Sequence, residues 1–132
     1  MALISKQNIL KIADEALKQG NRIISFSKDG VDFKSISSSG ELVIESKLRP
    51  TNVSLKELVF PKSEPVLFYK RSQTGVELSD IKEDNSKTII FGAKPCDAKS
   101  FSAMSKVFNW DYKDEFYNRK LENTVIIGLK CD

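Results

Sequence analysis

Two continuous apolar runs late in the chain constrain its fold most: Thr88-Ile89-Ile90-Phe91 and Thr124-Val125-Ile126-Ile127-Gly128-Leu129. Neither alternates apolar with polar residues, so each reads as a strand buried on both faces. Their β-branched and aromatic residues suit the extended backbone. Between the runs, Phe101, Met104, Val107 and Phe108 recur at helical spacing and are expected to face inward, behind Asp97 as a helix cap. A further turn or two of helix around Asp114–Leu121 carries Phe116 and Tyr117. Strand, helix and strand in that order make a crossover unit, whose two strands run parallel.

Upstream, Ile9, Ile12, Ala13, Ala16 and Leu17 form one apolar stripe, which predicts an amphipathic helix over residues 6–19. Gly20 is its stop, because glycine accepts the left-handed conformation that follows a helix. Three short strand-like runs come next: Arg22–Phe26, Val31–Ile36 and Glu41–Ser46. Lys28-Asp29-Gly30 and Ser38-Ser39-Gly40 have turn chemistry, so an antiparallel meander is the simplest arrangement. Pro50, Pro61 and Pro65 interrupt the segment over 47–66, within which Ser54-Leu55-Lys56-Glu57 matches a capping box for a short helix from Leu55 to Phe60. Val66–Tyr69 reads as a strand, and the polar Gln73–Lys87 as a surface connection. The fold expected is α/β with α+β character at the amino terminus: a mixed sheet ending in a parallel strand–helix–strand unit.

The 132 residues fit a single domain, 1–132. The chain stops just past an apolar strand, which reads as the amino-terminal part of a longer protein. No run of eighteen apolar residues is present and the first ten residues lack signal-peptide character, so the expectation is a cytoplasmic protein with no membrane segment. The net charge of +3 comes from 21 basic and 18 acidic residues with the signs interleaved. That pattern does not make a nucleic-acid surface. The chain has no histidine, which excludes Ser-His-Asp and Cys-His catalysis, histidine zinc sites and a histidine general base. The acidic residues offer no pair for acid–base catalysis. Trp110, Phe116 and Tyr117 read as core or docking contacts.

The two cysteines, Cys96 and Cys131, are too few for a disulfide scaffold and too few to supply four thiolates to a metal. Each follows one of the two apolar strands, and open sheets built from crossover units gather ligands at the carboxyl ends of their strands. If the strands are neighbours, both thiols emerge from one sheet edge. The plain alternative is that each is a small buried hydrophobe. Against it, Cys96 follows a proline at a helix start, where the helix dipole and Lys94 attract negative charge. Lys94, Asp97 and Ser100, with Arg119 as a further cation, also form a candidate anion site for a flavin or nucleotide phosphate, against ordinary helix capping by Asp97. No G-x-G-x-x-G after a strand and no G-x-x-x-x-G-K-[ST] accompanies it.

Gly92-Ala93-Lys94-Pro95-Cys96-Asp97-Ala98-Lys99-Ser100, then Val107-Phe108, Asp111, Phe116-Tyr117, Arg119-Lys120, Asn123-Thr124 and Ile126-Ile127-Gly128-Leu129-Lys130-Cys131 together resemble the beta subunits of sulfhydrogenases. The iron–sulfur A subunit of anaerobic sulfite reductase is similar. Arg49-Pro50-Thr51, Ser54-Leu55-Lys56-Glu57 and Phe60-Pro61-Lys62-Ser63-Glu64 extend the resemblance over roughly residues 45–132. Lys94 stands where that family usually has arginine, which keeps the charge and loses the bidentate fork. The resemblance implies an electron-transfer domain of an oxidoreductase complex, not a complete enzyme alone. Its partners would be other subunits and ferredoxin-type carriers. It also implies 4Fe-4S clusters in the full-length protein, with Cys96 and Cys131 as ligands only there and no cluster in this chain by itself.

Overall fold

The computed structural model describes residues 4–44, 51–81 and 86–129. Its centre is a four-stranded mixed sheet of β1 (Arg22–Phe26), β2 (Phe33–Ile36), β5 (Thr88–Ala93) and β6 (Thr124–Gly128), in the spatial order β2-β1-β5-β6. β2 is antiparallel to β1, whereas β1, β5 and β6 run parallel, with β5 paired to each of the other two. α2 (Pro95–Phe108) and α3 (Glu115–Glu122) connect β5 to β6, so the crossover unit expected from the two apolar runs is present and the fold is α/β.

Successive strand residues face opposite sides of a sheet, and both sides are covered. On one side α1 (Lys6–Lys18) packs Ala13 and Ala16 against Ile23, Ile36 and Phe91. On the other, Phe101 of α2 and Tyr117 of α3 pack with Ile90, Ala93, Leu55 and Val59. Double coverage is why β5 reads as unbroken hydrophobicity. The Ser5 hydroxyl accepts from the Asn8 amide to cap α1. Gly20, at φ +80°, closes that helix, with Gly20 N–H donating to Leu17 O and Asn21 N–H to Ala16 O. Ile12, placed by periodicity on the apolar stripe, is exposed, and Leu10 packs instead.

The structure departs from expectation in several places. Ser39–Glu41 is a short 3-10 turn and Leu42–Ile44 is irregular, so the described part of Glu41–Ser46 adds no third strand; residues 45–50 lie outside the described residues. The Glu41 carboxylate accepts from the Ser38 hydroxyl and the Ser37 amide, which favours a turn over a ladder. Leu55–Leu58 is a 3-10 turn, and Ser54 caps the Lys56 amide in it. The strand expected at Val66–Tyr69 is shifted to β3 (Phe68–Ser72), which pairs antiparallel with β4 (Gly75–Ser79). The segment read as a polar connection therefore contains a strand, and the two form a separate ribbon whose residues are all exposed. No helix among the described residues is long and apolar enough to cross a membrane.

Candidate functional site

Parallel strands end at one edge, and the carboxyl edge of β1, β5 and β6 is where a crossover sheet offers a site. The Leu129 N–H donates to Ala93 O at 2.9 Å, which ties the exit of β6 to the exit of β5. Gly92 makes this join possible. Its φ is +90°, and a Cβ there would lie 2.8 Å from the Phe26 ring. The pairing of β5 with β6 shifts between Phe91 and Ala93, so Ala93 takes the Ile90 side that plain alternation would give to Gly92.

Immediately beyond, α2 begins at Pro95 with Lys94 as its N-cap residue. Proline suits a first helical position because that amide has no intrahelical partner. Asp97 is therefore not the cap: it lies in the first turn, where its charge complements the dipole. Cys96 is a free, exposed cysteine of the same turn. It is not the buried hydrophobe of the plain alternative. The Ser100 hydroxyl donates to Asp97 O at 2.6 Å, so its proton is committed to the helix backbone. Asp97 already supplies negative charge at this helix end, which opposes a phosphate there. Phe101 is buried and Met104 and Phe108 are half-buried as the helical spacing implied, but Val107 is exposed.

The expected site residues are not all gathered at this edge. Lys94, Cys96, Asp97 and Ser100 lie together around the start of α2. Arg119 belongs to α3, which leads into the opposite end of β6. It lines a cleft with Arg22, Thr88 and Thr124, the first residues of the three parallel strands. Strand length alone separates the two edges by about 20 Å. Cys131 lies outside the described residues, two positions beyond Leu129. Among the described residues no group of three Cys, Asp or Glu side chains is placed to hold a metal ion. One copy of the chain contains two cysteines, so the residues present do not complete the four-thiolate set of a 4Fe-4S cluster.

A second feature of the carboxyl edge is the turn after β1. The Asp29 carboxylate accepts from the Ser27 hydroxyl and from the Val31 amide, and the Asp32 amide donates to the Ser27 hydroxyl oxygen. These hydrogen bonds, led by Ser27, hold the Asp29 carboxyl below the ordinary aspartate value. The lysine–aspartate–glycine triplet marked this as a turn, but nothing in the sequence signalled the serine–aspartate link.

The cleft at the amino edge was not anticipated. Lys120 pairs with Glu64, and burial lowers the lysine pKa. The Arg119 guanidinium lies 5.8 Å from the centre of the Phe116 ring. Its lining comes from positions as distant as Arg22 and Thr124, which no local pattern joins. Comparison with family models, with curated proteins and with solved structures finds no match to this chain.

Proposed function

We propose that this chain is a domain of an iron–sulfur electron-transfer subunit of an oxidoreductase complex, cytoplasmic and not an enzyme alone. In this reading the carboxyl edge presents Cys96 and Cys131 to partner subunits or to ferredoxin-type carriers. The observation that carries it is the hydrogen-bonded join of β5 and β6 at Ala93 and Leu129, with exposed Cys96 in the helix turn directly after it. In the sequence Cys131 follows Leu129 by two residues. The resemblance to sulfhydrogenase beta subunits supports the same role. Any cluster at this edge would need thiolates from outside these 132 residues.

A second reading is a partner-binding domain without redox chemistry. Exposed apolar side chains favour it: Tyr69, Val76 and Leu78 on the β3–β4 ribbon, and Val107, Trp110 and Tyr112 near the end of α2. The two readings separate in the intact complex carrying Cys96→Ser and Cys131→Ser. Electron-transfer function predicts loss of iron–sulfur content and of one low-temperature paramagnetic signal. Unchanged iron content and unchanged electron transfer in a correctly assembled complex assign the domain to docking alone.

A further inference from the structure

The cleft at the amino edge of the sheet is the second place where chemistry-bearing residues converge, and it is independent of the cysteines. Its volume is about 460 Å³, within the range of small-molecule sites. Leu58, Val66 and Phe116 give it an apolar wall. Three backbone amides of its lining are already committed. Arg22 N–H donates to Lys87 O, Thr88 N–H to Asn123 O and Asn123 N–H to Arg119 O. The Thr124 hydroxyl donates to Lys120 O at 2.6 Å. The charged side chains of the lining are the groups that can recognise an ionic ligand.

Lys120 is paired with Glu64, and Arg119 is already engaged. Arg22 and Asp80 differ from these. Both line the cleft, and among the described residues neither forms an ion pair, with each other or with a third group. A cation and an anion that share a cleft without neutralising one another are complementary to a ligand that carries both charges. A simple anion would leave Asp80 unmatched, and a simple cation would leave Arg22 unmatched.

We propose that this cleft binds a small zwitterion with an apolar body, of the chemical class of an aromatic or branched aliphatic α-amino acid. The ligand carboxylate pairs with the Arg22 guanidinium, whose planar fork suits two parallel hydrogen bonds. The ligand ammonium pairs with Asp80, and the apolar body lies against Leu58, Val66 and Phe116.

The test is a titration of the isotope-labelled chain with L-phenylalanine, followed by amide chemical shifts. Saturable shifts at Thr88, Asn123 and Thr124 are expected. Arg22→Gln and Asp80→Asn should each weaken binding by about two- to fivefold, as loss of one partly solvated ion pair does. 3-Phenylpropionate, which lacks the ammonium, and phenethylamine, which lacks the carboxylate, should each bind more weakly by a similar factor. Both substituted residues are exposed, and unchanged amide positions away from the cleft verify that the variants fold. Absence of saturable shifts at these amides, or equal binding of either singly charged analogue, overturns the proposal.

Discussion

Gly92 shows how one residue sets the geometry of the candidate edge. A side chain there meets both a left-handed backbone at φ +90° and the Phe26 ring at 2.8 Å. Gly92→Ala is expected to lower the free energy of unfolding by about 2–5 kcal/mol, the sum of the backbone and overpacking costs. Chemical denaturation measures it, and wild-type stability in the variant would remove Gly92 from this role. Asp29 offers a second check at this scale. Its carboxyl is held below the ordinary value chiefly by Ser27, so its link to the turn is complete above that value and is lost as pH falls through the lowered one. A carbon-detected titration should give an Asp29 midpoint below 3.8, moving upward in Ser27→Ala. An unmoved midpoint would show that the hydroxyl does not hold the carboxylate. Neither effect was legible in the sequence. Gly92 stood out only as part of a short motif, and the ring it accommodates comes from β1.

Among the elements, the sequence was most informative where burial is two-sided. β5 is a continuous apolar run because helices cover both faces of the sheet. β6 was expected to be buried on both faces but is an edge strand: Ile126 and Ile127 pack only partly, and Val125 is exposed. The bounds of β1, β5 and β6 were readable to within a residue or two. α1 was readable from its stripe and its glycine stop. The β3–β4 ribbon was obscured for the opposite reason: both of its faces are exposed, so charged residues interrupt the apolar ones. Lys70 lies opposite Glu77, and Tyr69 opposite Leu78. The period-two spacing of Val76 and Leu78 was the available signal, diluted by polar neighbours. A two-stranded ribbon outside the core is marginal by itself. Its amides are therefore expected to exchange with solvent well before those of β5 and β6 in the isolated chain, as hydrogen exchange can measure. Equal protection of the ribbon and the central sheet would contradict its separation from the core.

At the scale of the whole molecule, topology produces two opposed edges. The carboxyl edge carries the α2 start with Cys96, and the amino edge carries the cleft with Arg22, Asp80 and Arg119. The crossover unit made the first legible, because strand order and direction follow from the order of the apolar runs. The second was not, because its lining joins residues brought together only by packing. The same topology divides the residues first grouped as an anion site, since Lys94 follows a strand exit while Arg119 precedes a strand entry. The functional account rests on Cys96 and Cys131 meeting at the carboxyl edge. The most direct measurement is treatment of the reduced monomer with a short bis-alkylating thiol reagent, followed by peptide mass mapping. The account predicts a rapid intramolecular link between Cys96 and Cys131. Two separate single adducts, or links only between different molecules, would contradict it.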